Sequence, residues 1–163
     1  MAEKRKPDFP DELALRFLAE NAADIIWTTD LNLNTTYVSP SVEKVLGFSP
    51  AERKRQSFAE MVTPASFEML QALLLQEMAR EETADPDLDR TVTVEVEYFK
   101  KDGDTVWLEN RMKWIRDEQG SIAGIHGVSR DITERRRAEE ALLVSEEKFS
   151  KASFFTKTCS SSK

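Results

Sequence analysis

Three alternating segments joined by turn residues occupy positions 92–130, and they restrict the fold more than any other part of the sequence. In Val92–Phe99, apolar side chains alternate with polar ones, which is the pattern of a strand that buries one face. Lys101-Asp102-Gly103-Asp104 predicts a tight hairpin turn, because Asp-Gly tolerates the positive φ that such turns require. A second turn, Asp117–Ser121, leads into a last strand, Ile122–Arg130. Three consecutive strands with short connections predict an antiparallel sheet.

The first part of the chain predicts a helix followed by a hairpin. From Asp11, four apolar side chains fall at helical spacing, namely Leu13, Phe17, Leu18 and Ala22. Ile25–Thr29 is rich in residues that favour strands, and a turn at 30–32 precedes the return strand Thr35–Ser39. The predicted order is therefore two strands, several helices and three more strands.

Three helix starts follow the hairpin, each marked by a proline placed where its missing N–H does no harm. Ser39-Pro40 opens a helix that Gly47 ends, and Ser49-Pro50-Ala51-Glu52 is a capping-box pattern. Thr63-Pro64 opens the longest helix, which stops before Asp85-Pro86. The apolar face of this helix is predicted to consist of Phe67, Leu70, Leu74 and Met78.

From Asp131 onward the sequence becomes charged and helix-favouring. Asp131 predicts an N-cap, with Glu134 at the third helical position. A partly apolar heptad seam predicts a weak coiled coil that is stable mainly against a second copy; its members are Arg135, Ala138, Leu142, Ser145 and Phe149. The predicted organisation is a leader at 1–10, a domain with its N-terminal flanking helix at 11–133, a linker helix at 134–152 and an unstructured tail at 153–163.

Charge and composition argue against several classes of function. The net charge of −7 repels phosphate backbones, so we do not expect nucleic acid as a partner. No apolar run approaches the roughly 20 residues that span a bilayer, so no direct membrane insertion is expected. Cys159 and His126 are the only cysteine and the only histidine. We therefore expect a reducing, cytoplasmic location, no metal site and no catalytic residues.

Several short motifs, in this order and spacing, resemble the PAS family of sensor domains, also described as PAS/PAC or S-box domains. They are Val45-Leu46-Gly47-Phe48 with Ser49-Pro50, Lys101-Asp102-Gly103 followed by Trp107, and the segment Gly127–Arg135. The resemblance covers roughly residues 11–133. Ser145–Ala152 is also similar to the opening of a second PAS-like segment.

The resemblance implies an α+β fold, in which a five-stranded antiparallel sheet is wrapped on one face by short helices and flanked by N-terminal and C-terminal helices. It also implies a pocket between the sheet and the long helix. The chain would then be the input module of a larger bacterial signal-transduction protein, such as a histidine kinase of a two-component system or a cyclic-dinucleotide enzyme. The module itself is not expected to be an enzyme.

Heme and an adduct-forming flavin are both disfavoured as cofactors. Heme-binding relatives use a histidine on the long helix, whereas His126 lies on the last strand and is expected on the outer face of the sheet. Photosensory relatives need a cysteine near the start of that helix, whereas Cys159 lies in the tail, and Ser129 replaces the expected glutamine. A small apolar or weakly polar ligand remains as the expected type.

Alternation and family strand parity give ten candidates for the pocket: Ile25, Trp27, Thr29, Val96, Tyr98, Leu108, Asn110, Met112, Ile125 and Ser129. The same set also fits a packed core without ligand, in which Trp27 fills the space. No inward arginine or lysine is evident, so a strongly anionic ligand is disfavoured unless backbone N–H groups hold it.

Asp131, Thr133 and Trp107 are the candidate relay residues. Asp131 and Thr133 lie where the last strand meets the linker helix, and Trp107 is expected on the outer face of the sheet, covered by the helix around Phe17 and Leu18. We expect a homodimer that signals to a downstream output domain. Two functions stay open: a ligand-binding sensor, and a ligand-free dimerisation and relay scaffold.

Overall fold

A computed structural model describes residues 22–83 and 87–159 of the chain. The predicted leader, the helix from Asp11 and residues 160–163 lie outside this part. The chain divides into two compact units, residues 1–131 and residues 132–163, which are described separately.

The first unit contains one five-stranded antiparallel sheet. Its strands are β1 (Ile25–Asp30), β2 (Thr35–Val38), β3 (Val92–Phe99), β4 (Thr105–Arg116) and β5 (Ile122–Asp131). They lie in the order β2-β1-β5-β4-β3, and every neighbouring pair is antiparallel. The antiparallel sheet predicted from the alternation is thereby confirmed, as is the five-stranded α+β fold that the resemblance implies.

The first and last strands are neighbours in this sheet. Ile25, the first residue of β1, pairs with Ser129 near the end of β5. Just outside this pair, the guanidinium of Arg130 donates hydrogen bonds to both carboxylate oxygens of Asp24, the shortest at 2.8 Å. The chain thus enters and leaves the sheet at one place, and an ion pair joins the two positions.

Four helices connect β2 to β3: α1 (Ser41–Leu46), α2 (Pro50–Arg55), α3 (Phe58–Met61) and α4 (Pro64–Glu81). Gly47 ends α1 with φ +82°, a conformation that glycine adopts without strain. The predicted capping box of α2 is present, with Ser49 and Glu52 each accepting from the other's backbone N–H. The sequence did not predict α3, at whose start the Glu60 carboxylate accepts from both the backbone N–H and the hydroxyl of Ser57.

The inward face of α4 differs from the predicted apolar face at its C-terminal end. Leu70 is buried and Phe67 packs against the core, but Met78 is 49% exposed. The buried residue in this turn is Glu77, which is 5% exposed. An ion pair described below takes the place that an apolar side chain was expected to fill.

The core lies between the sheet and the helices. Among its fully covered side chains are Val42 and Leu46 from α1, Val62 after α3, and Val96 and Leu108 from the sheet. Apolar burial of this kind is the main stabilising term of a small domain. It also holds the strands that carry the polar residues of the candidate site.

The second unit is the helix α5 (Thr133–Cys159). The carbonyl of Ile132 accepts a hydrogen bond from the backbone N–H of Arg136, so the N-cap position is Ile132 and the prediction for Asp131 is wrong by one residue. Asp131 is instead the last residue of β5, where it pairs with Leu108. The predicted tail is also corrected, because no proline or glycine follows Asp131 and the helix continues beyond Ala152.

Candidate functional site

Two adjacent cavities lie between the sheet and the helices. The first, here called the α4 cavity, has a volume of about 90 Å³ and is bordered by Leu70, Leu74 and Glu77 of α4. The second, the α2 cavity, has a volume of about 60 Å³ and is bordered by Arg53 of α2. Their shared walls are Trp27, Thr29, Leu33, Phe58 and Tyr98. Both are smaller than the roughly 300–1,000 Å³ of pockets for drug-sized ligands.

Nine of the ten predicted pocket residues border one or both of these cavities: Ile25, Trp27, Thr29, Tyr98, Leu108, Asn110, Met112, Ile125 and Ser129. Val96 does not border either one, because it is fully covered in the core. The structure therefore brings the set together around two cavities, and occupancy by a ligand stays a prediction.

A chain of hydrogen bonds crosses four strands at the floor of the cavities. The Nε1–H of Trp27 on β1 donates to Ser129 Oγ on β5 at 2.8 Å. That hydroxyl donates to Asn110 Oδ1 on β4 at 2.5 Å, and Asn110 Nδ2 donates to the hydroxyl of Tyr98 on β3 at 2.9 Å. Asn110 and Ser129 are 1% and 3% exposed, so water does not supply these bonds. We call these four side chains the polar row.

Gly127 makes room for the first member of the polar row. A Cβ atom at this position would lie 2.6 Å from Cζ2 of Trp27 and 3.0 Å from the carbonyl oxygen of Arg111. Only glycine therefore lets the indole lie across β5 and reach Ser129.

Arg53 is the buried cation of the site, and the sequence did not reveal it. The side chain is 6% exposed, its guanidinium carbon lies 5.3 Å from the centre of the Tyr98 ring, and Nη1 donates to Gln56 Oε1 at 3.0 Å. No carboxylate of a described residue pairs with it. Burial lowers the pKa of Arg53 and raises the pKa of the Tyr98 hydroxyl.

The expectation that no arginine points inward is therefore wrong. The helix α2, with sequence Pro-Ala-Glu-Arg-Lys-Arg, contains no large apolar side chain. Since one face of this short helix must cover the sheet, a long cationic side chain takes the inward position, and its aliphatic part can pack there. This lack of apolar residues was the signal that could have identified Arg53.

The far end of the α4 cavity contains a second arginine, and this one is paired. Nε and Nη2 of Arg90 donate to the two carboxylate oxygens of Glu77, at 2.6 and 2.9 Å. The hydrogen bonds from Arg90 hold the pKa of Glu77 below its usual range, against the opposing effect of burial. One turn later, Glu81 accepts from Nη2 of Arg116 on β4. These two pairs join the end of α4 to the sheet side of the domain.

Thr29 provides an unsatisfied polar atom on the walls of both cavities. Its Oγ1 is buried and has no hydrogen-bond partner among the described residues. A buried hydroxyl without a partner costs free energy, so a polar group that enters either cavity would gain a hydrogen bond at this atom.

The remaining candidates lie away from the cavities. His126 is exposed on the face of β5 opposite Ile125, where the family parity placed it. Trp107 is half-buried and faces away from Leu108, while the segment around Phe17 that was expected to cover it lies outside the described residues. Thr133 is the first residue of α5.

None of the helices within 22–83 and 87–159 has both the length and the apolar character of a membrane-spanning segment. Within the same ranges, no group of three or more His, Cys, Asp or Glu side chains is arranged to hold a metal ion.

Comparison with known proteins identifies the family. The uncharacterized protein y4lL of Sinorhizobium fredii is 29% identical over 134 residues, which are 82% of this chain but only 15% of that protein. A PAS domain from Colwellia psychrerythraea has a TM-score of 0.62 at 24% identity, over 76% of this chain and 99% of that chain. A sensory box histidine kinase/response regulator from Burkholderia thailandensis has a TM-score of 0.60 at 24% identity, over 84% and 98%.

The family model of the PAS fold matches residues 13–132, most of the chain. This match ends before α5, so it does not include the second PAS-like segment expected at 145–152. The sheet order, the helices on one face and the match over these residues agree with one another, and the chain belongs to the PAS family.

Proposed function

We propose that this chain is the sensory input module of a bacterial signal-transduction protein, either a histidine kinase or a cyclic-dinucleotide enzyme. It binds a small ligand between sheet and helices and passes the change to an output domain through α5. Any catalytic activity belongs to that output domain. The family match and the similarity to a sensory box histidine kinase/response regulator support the role of a sensory module.

The polar row carries this proposal. Its four side chains lie at the cavity floor, and its central hydroxyl, Ser129, is two residues before the end of β5. A ligand that accepts or donates a hydrogen bond there must exchange with an existing bond of the row. One such exchange changes the free energy by about 1 kcal/mol, comparable with the lower end of allosteric coupling energies.

The path from the row to α5 is short along the chain. A displacement of Ser129 acts on Asp131, and a single residue separates the end of β5 from the first residue of α5. In this proposal Asp131 and Thr133 transmit the change because the backbone there passes from strand to helix. The half-buried Trp107, on the opposite sheet face, contributes to the dimer contact.

The ligand test is native mass spectrometry of the chain purified from its own host. A sensor retains a molecule, so we expect a mass above that of the 163-residue polypeptide. Leu74→Phe narrows the α4 cavity and should reduce the bound fraction, whereas Leu75→Phe, at a residue 70% exposed on the same helix, should leave it unchanged. A bare mass in all three proteins would contradict ligand binding.

A second function, a ligand-free relay scaffold, is favoured by the small cavities and by the internal satisfaction of the polar row. In this case the row is a structural network and the domain acts as a dimer. Leu142 and Phe149 of α5, seven residues apart, are 60% and 77% exposed and fit a helix seam.

Light scattering tests the dimer that both functions require. At high micromolar concentration we expect twice the 18.6 kDa chain mass, and a lower mass for Leu142→Glu. Glu140→Lys, at an exposed position of α5 outside the seam, is the control. A monomeric wild-type chain would contradict the dimer.

A further inference from the structure

Arg53 is buried beside the α2 cavity without an acidic partner among the described residues, and from this we infer that the cavity binds the carboxylate of a small organic monoanion. The apolar body of that molecule lies in the adjoining α4 cavity. This inference rests on the proposed ligand-binding function and adds the class of ligand.

The first step concerns the charge of Arg53. A guanidinium that is 6% exposed has lost most of its hydration, and burying a charge is unfavourable unless an opposite charge compensates it. Gln56 accepts from one nitrogen, and the Tyr98 ring faces the cation at 5.3 Å. Both partners are neutral, so the compensation within the described residues is incomplete.

The second step is that the other cations of the two cavities have acid partners. Arg90 is paired with Glu77, and Lys113 lies 4.0 Å from Asp89. Arg53 is the single cation that borders the α2 cavity. An anion entering the cavities therefore gains most at Arg53, where it meets no competing carboxylate.

The third step concerns the number of charges and the shape of the ligand. One uncompensated guanidinium matches one negative charge, and the second charge of a phosphate would have no cation. The unsatisfied Oγ1 of Thr29, on the wall of both cavities, supplies a neutral donor. The rest of the α4 cavity wall is mainly apolar, with Phe58, Leu70 and Ile125, which suits a short hydrocarbon or a single ring.

The test uses acetate, butyrate and benzoate, each compared with its neutral amide, on the 163-residue chain. Thermal shift and calorimetry report binding. We expect at least one carboxylate to bind. Its amide should bind at least about 30-fold more weakly, since the amide leaves the buried charge unpaired. An amide that binds as tightly as its carboxylate would overturn the inference, as would a panel in which no carboxylate binds.

Matched variants assign the effect to Arg53. Arg53→Met should weaken carboxylate binding about 30-fold or more, and Arg53→Lys should retain part of it. Arg55→Met removes a charge from the exposed side of the same helix and should bind like the wild type. Thr29→Val gives a second, milder variant with a loss of a few-fold. Equal binding by Arg53→Met and the wild type would overturn the inference.

Failure here is distinguishable from failure of the proposed function. If native mass spectrometry shows a retained neutral molecule, the sensor function stands and the carboxylate assignment is wrong. If the host protein carries no added mass and no panel compound binds, both are wrong.

Discussion

Arg53 and Arg90 border neighbouring cavities of one domain, yet they differ in how their charges are compensated. Arg90, at the α4 end, donates two hydrogen bonds to the Glu77 carboxylate and ties a helix to the segment before β3. Arg53, at the α2 end, is more deeply buried, and its partners within residues 22–83 and 87–159 are an amide and an aromatic ring. The same side chain thus serves as a structural tie at one end and as an uncompensated charge at the other.

The contrast between these two arginines separates a part of the domain that gains stability from its ion pair and a part that retains a charge able to bind a ligand. A buried ion pair with two hydrogen bonds costs stability when one partner is removed, since the other charge is left alone. A buried cation without an acid is unfavourable even in the intact protein. Substitutions at the two ends should therefore change the free energy of unfolding in opposite directions.

The largest effect is expected at the polar row, which borders both cavities and contains no charged group. Asn110→Leu removes the middle of the row. The Ser129 hydroxyl then loses its acceptor, and the Tyr98 hydroxyl loses its donor. We expect the free energy of unfolding to fall by about 3 kcal/mol, measured by urea denaturation. Tyr98→Phe, which loses only the terminal hydroxyl, should cost about 1 kcal/mol. Similar small losses in both variants would show that the row contributes little.

The next effect has the opposite sign. Arg53→Met removes the uncompensated charge and keeps much of the side-chain volume, so the free energy of unfolding should rise by about 1–2 kcal/mol. Arg55→Met, at an exposed position of α2, should stay within about 0.5 kcal/mol of the wild type. A clear loss of stability in Arg53→Met would mean that the Tyr98 ring and Gln56 compensate the charge, and the contrast with Arg90 would disappear.

A smaller loss is expected at the paired end. Glu77→Gln weakens two charge-assisted hydrogen bonds, and because Arg90 is partly exposed we expect a cost of about 1 kcal/mol at neutral pH. The folded-state pKa of Glu77 lies below its usual value, so its stabilising effect is present above the unfolded pKa and is lost as the pH falls through the folded pKa.

The pH dependence separates the two ends. The stability difference between wild type and Glu77→Gln should shrink below about pH 4. The difference for Arg53→Met should stay constant there, because no carboxylate in the described part of the chain pairs with Arg53. Chemical denaturation between pH 3 and pH 7 provides the measurement. A constant Glu77 difference over this range would exclude the carboxylate as the source of its effect.

The smallest effect is expected at an exposed ion pair. Nζ of Lys101 lies 2.7 Å from Glu52, but the two side chains are 53% and 42% exposed. Lys101→Gln should change the free energy of unfolding by less than about 0.5 kcal/mol, by the same urea assay. A cost equal to that of Glu77→Gln would mean that burial does not explain the strength of the Glu77–Arg90 pair.

The sheet could be predicted from sequence because strand alternation is a local signal. Val92–Phe99 and its two successors have period two and clear turns. Alternation and family strand parity together gave ten pocket candidates, of which nine border a cavity. Burial of charge, in contrast, depends on what lies opposite. By residue type, Arg53 and Glu77 are expected on the exposed faces of their helices. The packing of these helices against the sheet buries both side chains.

Two other misses arose at boundaries. The helix α3 is four residues long, too short for an apolar period. The spacing of Ser57 and Glu60, whose carboxylate accepts from the Ser57 backbone N–H, could have indicated it. Asp131 has the right chemistry for an N-cap, but its pairing with Leu108 keeps it in the sheet. A local preference of about 1 kcal/mol is easily outweighed by a strand pairing that continues for one more residue.

The adjacency of β1 and β5 determines how mechanical load would travel through the domain. Because Ile25 lies opposite Ser129 and Asp24 is bonded to Arg130, tension between the preceding and following segments pulls at one common end of an antiparallel strand pair and loads its bonds one after another. The side chains of Trp27 and Ser129 are hydrogen-bonded across this pair near the loaded end, so separation of β1 from β5 strains that bond before it deforms β3 or β4. The strands β3 and β4 can then remain a rigid frame while β1 and β5 carry the motion.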